Sequence, residues 1–130
     1  MWVFTKDGFL SAVQHDEDRV RMRVRARRRE HLDNAFPGYD ILDMAEEGGP
    51  YDYRWHVDIS RGEWVDYLAE AAMDVDYTSH VKEAISGDDK ELYEAMLKVW
   101  TALYAIQSAE LEPPVDEPYI EWDDETWTPI

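Results

Sequence analysis

Residues 19–29 read R-V-R-M-R-V-R-A-R-R-R, and the reading of this stretch decides the fold. Arg19, Arg21, Arg23, Arg25 and Arg27 alternate with Val20, Met22, Val24 and Ala26. A period of two is what a strand shows when one face is apolar and the other solvated, because successive side chains point to opposite sides. The stretch holds seven of the thirteen basic residues in a 130-residue chain whose formal net charge is -17. A guanidinium ladder in so acidic a chain bears on architecture and partners before it bears on chemistry.

Working outward, the residues before the ladder predict two further strands. Trp2-Val3-Phe4-Thr5 and Phe9-Leu10-Ser11-Ala12-Val13 are strand-prone, and Lys6-Asp7-Gly8 between them supplies an Asp-Gly hairpin turn. His15-Asp16-Glu17-Asp18 is a second polar connection, so the ladder becomes the third strand of an antiparallel meander. In that reading Val20, Met22, Val24 and Ala26 face the core. Residues 28–35 then turn helical, with Leu32, Ala35 and Phe36 as apolar positions, and Pro37-Gly38 stops the helix.

Residues 39–45 (Y-D-I-L-D-M-A) read as a strand and Glu46-Glu47-Gly48-Gly49-Pro50 as a loop. Residues 51–59 alternate again, with Tyr53, Trp55, Val57 and Ile59 on one side and Asp52, Arg54, His56 and Asp58 on the other. Ser60-Arg61-Gly62-Glu63 has the S-x-x-E form of a capping box, in which Ser and Glu satisfy one another's backbone N–H at a helix start. The helix it opens carries Trp64, Tyr67, Leu68, Ala71 and Ala72 at helical spacing. A short helix follows over residues 79–85. A last one begins after Asp88-Asp89 and runs to about Ser108, with Tyr93, Met96, Leu97, Trp100, Leu103, Tyr104 and Gln107 in its stripe.

The order β-β-β-α-β-β-α-α-α predicts an α+β fold, an antiparallel sheet of about five strands with helices packed on one face. Residues 1–108 form the predicted domain. Residues 109–130 are set apart by Pro113, Pro114 and Pro118 and by a run of carboxylates, and they carry Tyr119, Trp122 and Trp127. Aromatic residues spaced through an acidic, proline-broken segment have the form of a linear binding element. The alternative is a segment that folds back over its own sheet.

Charge narrows the partners. Residues 1–39 hold eight basic and six acidic residues, and residues 40–130 hold five and 24. Such a field repels nucleic-acid phosphates and anionic membrane surfaces and favours a protein partner with a basic or mixed-charge surface. A chain this acidic can also imitate a phosphate backbone, as a nucleic-acid mimic would. Cysteine is absent, which excludes disulfides and a thiol nucleophile. No apolar run reaches the length of a membrane span, and the start of the chain has no signal-peptide layout, so a cytoplasmic setting is the expectation.

Motifs of catalysis are missing. His15, His31, His56 and His80 lie in four different elements without ligand spacing, so no metal site is predicted. His15-Asp16-Glu17-Asp18 and Asp123-Asp124-Glu125 match no calcium loop, and there is no phosphate-binding glycine loop and no G-x-S-x-G elbow. Hence no catalytic residue and no cofactor are assigned, and the binding candidates are Arg19, Arg21, Arg23 and Arg25 with Tyr119, Trp122 and Trp127. The ladder has three readings: neutralised by carboxylates of neighbouring elements, open to an acidic protein segment, or tracking phosphates.

Across residues 1–107 the chain resembles a family of small proteins encoded by actinobacteria and their phages. The resemblance rests on Trp2-x-Phe4 with Asp7-Gly8-Phe9, Val24-Arg25-Ala26-Arg27, Asp52-Tyr53-Arg54, Asp76-Tyr77 with Lys82, and Tyr93 and Trp100. The acidic aromatic tail is not part of the pattern, and no catalytic residue carries over. The resemblance implies a bacterial or phage cytoplasmic setting, where small acidic proteins act by binding a host protein. The functional expectation is therefore a non-enzymatic protein-binding module, with a nucleic-acid mimic and a small enzyme as the alternatives.

Overall fold

The computed structural model describes residues 1–110, so the calls on Tyr119, Trp122 and Trp127 lie outside the described residues. The chain forms two compact units, Met1–Asp76 and the residues from Tyr77 onward.

The first unit is the sheet, and it has the expected α+β architecture. Its strands are β1 (Trp2–Thr5), β2 (Gly8–Gln14), β3 (Arg21–Ala26), β4 (Leu42–Asp43) and β5 (Trp55–Ser60), in spatial order β1-β2-β3-β5-β4. Every pairing is antiparallel. Between them run helices α1 (Arg29–Ala35) and α2 (Met44–Glu47), and α3 (Arg61–Met73) follows β5. The ladder strand is central, pairing β2 on one side and β5 on the other.

The meander forms because Gly8 can do what the Asp-Gly turn requires. Its φ is 131°, and a Cβ built there would lie 2.3 Å from the His31 ring. Only glycine fits that approach, and it lets the Phe9 N–H donate to His31 Nδ1 at 3.3 Å, tying the turn to α1. A second tie comes from α3. The buried Tyr67 hydroxyl donates to Asp7 Oδ2 at 2.9 Å and lies 2.7 Å from Thr5 Oγ1. Burial pushes that phenol well above its ordinary pKa, so it stays protonated as a donor.

The period of two sorts the strands as anticipated. Leu10, Ala12, Met22, Val24, Ala26, Val57 and Ile59 form one buried face, covered by Leu32 of α1, by Phe36 just after it, and by Trp64 and Tyr67 of α3. Phe36, Trp64 and Tyr67 pack ring against ring at centroid separations of 5.0 to 6.4 Å. The capping box that starts α3 is complete: Ser60 Oγ accepts from Glu63 N–H, and Glu63 Oε1 accepts from Ser60 N–H.

Four local expectations are corrected. Val20 does not face the core. It is 67% exposed, because the Arg21 N–H donates to Asp18 O and the Val20 N–H to Asp18 Oδ1, which makes residues 18–21 a turn. Arg19 therefore precedes the strand and Arg27 follows it. The strand expected over residues 39–45 shrinks to Leu42–Asp43. Asp43 becomes the N-cap of α2, accepting from Ala45 N–H, and Arg54 grips both its carboxylate oxygens at 2.9 and 3.1 Å. That bidentate pair holds the Asp43 carboxyl below its usual range and replaces strand pairing with a helical turn. Finally, β5 begins at Trp55, not at residue 51.

The second unit contains α4 (Val81–Ser86) and α5 (Lys90–Glu110), which pack on one another. Asp89 Oδ1 accepts from Leu92 N–H at the start of α5. Met96 is buried, whereas Leu103, Tyr104 and Ile106 further along the helix are exposed. No helix among the described residues is long and apolar enough to cross a membrane.

Candidate functional site

The other face of the sheet is built from the positions that alternate with the core. Cross-strand register places Trp2, Ser11, Arg25, His56 and Leu42 in one row across all five strands. The next row toward the opposite end of β3 holds Val13, Arg23 and Asp58, and Arg21 pairs with Ser60 beyond it. Phe4 and Phe9 form the row on the far side of Trp2 and Ser11. Two helices of this unit, α1 and α3, lie over the core face, so this second face is where side-chain chemistry stands uncovered by them.

One end of the face is aromatic. Phe9 stacks on Phe4 at 4.7 Å, meets Trp2 edge-on at 6.0 Å and approaches Tyr53 at 6.4 Å. Arg25 and Arg27 place their guanidinium carbons 4.5 and 4.2 Å from the centre of the Tyr53 ring. Tyr53 is thus buried on this face beneath two cations, not among the core residues with which its spacing had grouped it. Arg27 is held by the Asp52 carbonyl at 2.8 Å. Residues widely separated in sequence, Trp2, Phe4, Phe9, Arg25, Arg27, Asp52 and Tyr53, come together here.

The middle of the face is neutralised from within. Arg23 Nε donates to Asp58 Oδ1 at 3.1 Å, and its Nη1 lies 3.6 Å from Asp16. His15 stands beside the pair, with Nε2 3.7 Å from Asp58 Oδ2. His15 Nδ1 accepts from Glu17 N–H, and its Nε2 also lies 3.3 Å from Arg23 Nη2. Arg25 donates from Nη2 to Ser11 Oγ at 2.8 Å and covers it, which explains why a serine on this face is buried. Arg25 Nε and His56 Nδ1, neighbours in one row, are both buried without a hydrogen-bond partner among the described residues. Burial, and then the charge of Arg23, push the His56 pKa down, so His56 is a neutral imidazole at pH 7.

The remaining end is cationic and open. Arg19, Arg21 and Arg61 are exposed, and among the described residues no carboxylate lies within ion-pair distance of their guanidinium groups. The chain itself gathers them. Arg61 N–H donates to Val20 O at 2.6 Å, and its Nε and Nη2 donate to Arg19 O at 3.2 and 3.0 Å. Glu63, which feels the charge of Arg21, is engaged by the Tyr39 hydroxyl and by Ser60, and these bonds, more than Arg21, hold its pKa down.

The four ladder arginines proposed from sequence therefore divide into two pairs. Arg23 and Arg25 are occupied within the fold, while Arg19 and Arg21 are not. Sequence reasoning missed Phe4, Phe9 and Tyr53 as members of the same face, and Arg61 at the cationic end of the sheet, where its Nη2 also donates to Gln14 Oε1 at 3.3 Å. The alternation in β1 and β2 carried the signal for Phe4 and Phe9; for Arg61, which folds back from the first turn of a helix, there was none.

In the second unit, α4 and α5 meet through a cation and a ring. Lys82, buried in α4, sets its ammonium 4.9 Å from the centre of the Trp100 ring, and burial lowers its pKa. Ser86 Oγ donates back to Lys82 O at 2.5 Å within the same helix.

In comparisons with known proteins, no family model, no curated protein and no solved structure matches the chain. The functional reading therefore stands on the geometry.

Proposed function

We propose that this protein is a non-enzymatic protein-binding module, an accessory protein of the phage type, and that the face of its sheet opposite α1 and α3 is the contact surface. The observation that supports this most is the convergence of Trp2, Phe4, Phe9 and Tyr53 with Arg25 and Arg27 on that face. Aromatic and arginine side chains are the residues that most often anchor protein interfaces, because they join large apolar area to directed hydrogen bonding. Trp2 is 73% exposed, an unusual position for a large apolar ring unless something covers it. The chain's charge of -17 would draw a partner whose wider surface is basic, while the arginines take its carboxylates. Such a partner has a mixed-charge surface.

The test uses affinity capture from bacterial lysate with quantitative mass spectrometry, comparing the natural chain with two variants. Trp2→Ala combined with Arg27→Glu alters the aromatic end at two exposed positions. Val65→Ala alters an exposed residue on α3 and serves as control. Proteins captured by the natural chain and by Val65→Ala should drop out with the double variant. Retention of the same set by all three forms overturns the face as the contact surface.

A further inference from the structure

We infer that the partner engages this face through an extended acidic segment that also carries an aromatic residue. Its carboxylates would sit at the Arg19, Arg21 and Arg61 end, and its ring at the Trp2, Phe4 and Phe9 end. The inference rests on the protein-binding reading above and names the chemistry of the partner.

The face has two chemically different ends and a neutral centre. Arg19 and Arg21, with Arg61 at the same end of the sheet, have no ion-pair partner among the described residues, in a chain that carries 30 carboxylates. The hydrogen bonds from Arg61 to Arg19 O hold two of these residues side by side, and Arg61 Nη2 also donates to Gln14 Oε1 at 3.3 Å. An exposed cluster of this kind suits carboxylates, which arginine binds bidentately. At the other end Phe4, Phe9 and Trp2 offer ring faces and edges to an incoming aromatic side chain.

The spacing fixes the form of the ligand. Arg21 and Arg25 are four residues apart on β3, which at about 3.4 Å per residue separates the cationic row from the Trp2 row by about 14 Å. An extended peptide covers that distance in about four residues, since its rise per residue is the same.

Single-stranded nucleic acid is the other polymer with anionic groups at a comparable pitch, and the centre of the face argues against it. A phosphate backbone running along β3 would need Arg23, yet Arg23 is already bound to Asp58 and flanked by Asp16. Asp58 would meet the phosphates as a like charge. A segment with carboxylates at one end only and apolar contact at the other has no such conflict. The acidic body also repels a long polyphosphate more than a peptide of a few charges.

The experiment is fluorescence anisotropy on the full chain with short dye-labelled peptides. The first carries three consecutive glutamates and a tryptophan about four residues on. A second replaces the glutamates by glutamine, a third replaces the tryptophan by alanine, and an oligothymidylate of similar length serves as the nucleic-acid arm. The acidic peptide should bind, lose affinity as salt is raised, and bind at least tenfold more tightly than the glutamine version. Arg19→Gln combined with Arg21→Gln should weaken it at least tenfold while the urea midpoint of the protein stays unchanged. This pair leaves the backbone oxygen that Arg61 uses in place. Equal binding of the glutamate and glutamine peptides, tighter binding of oligothymidylate, or no binding by any probe would each overturn the inference. Binding of the alanine peptide as strong as that of the parent overturns the aromatic half. A positive lysate capture sensitive to Trp2 and Arg27 alongside a negative peptide result would leave the protein-binding reading standing without this partner.

Discussion

The two faces of the sheet come from the same strands and the same alternation, yet they solve different problems. On one face Leu10, Val24, Val57 and Ile59 are almost wholly excluded from water and packed beneath α1 and α3. On the other, Arg23, Arg25, His56 and Asp58 are only partly covered, and their order comes from hydrogen bonds and ring contacts. The first face holds the fold together through removal of apolar surface from water, a term that is large and indifferent to direction. The second contributes little to stability, since partly exposed ion pairs are worth about 0–1 kcal/mol each, but it determines what can be recognised. Folding and recognition are thus separated by parity along the strand.

Breaking the first face should produce the largest effect. Leu10→Ala removes a fully buried side chain at the centre of the core and should cost about 2–5 kcal/mol, read as the urea midpoint with m held constant. Arg21→Gln on the other face should change stability by less than about 0.5 kcal/mol in the same titration. Comparable losses in the two variants would show that the Arg face is structural and would remove the division drawn here.

The joint between the faces is the hairpin turn. Gly8→Ala forces a Cβ into a backbone with φ of 131° and to within 2.3 Å of the buried His31 ring. The ring must move, and the Phe9 N–H bond to His31 Nδ1 goes with it, so the change should cost about 1–3 kcal/mol. A proton–deuterium exchange measurement should show protection lost first at Phe9 and its neighbours. An unaltered exchange pattern there would mean that the turn is not pinned by His31.

These contrasts also show what could be read in advance. The alternation in residues 21–26, the Asp-Gly turn and the S-x-x-E cap are local signals, each backed by a steric or hydrogen-bonding rule that acts within a few residues, and each formed. Residues 39–45 were ambiguous because a short apolar run reads equally as strand or helix. The choice was made by Arg54, eleven residues beyond Asp43, through a bidentate pair that no local rule anticipates. Tyr53 was misassigned for a related reason. Its parity matches Val57, but it precedes the strand, and two guanidinium groups and Phe9 on the other face hold its ring. The candidate site was legible only in half: the arginines stood out by composition, whereas their division into occupied and open members depends on which carboxylates the fold brings near.

The smallest effect separates the faces by pH. His56 lies on the Arg face with its pKa pushed down by burial, then by Arg23 and Arg25, against opposing pulls from the Tyr53 backbone and from Asp58. As pH falls through about 6.5 the unfolded chain takes up a proton at this position that the folded chain resists. The unfolded state then binds more protons, so the contribution of His56 to stability is present above that pH and is lost as pH falls below it. His56→Asn removes the titration while keeping a polar side chain. Urea midpoints at pH 7.5 and pH 5.5 should therefore differ more for the natural chain than for this variant. The core-facing strand positions Leu10, Ala12, Met22, Val24, Ala26, Val57 and Ile59 carry no titratable side chain, so Val57→Ala, although much less stable at either pH, should keep the full natural difference. Equal pH differences in the natural chain and in His56→Asn would show that His56 is not the residue through which acid weakens this face.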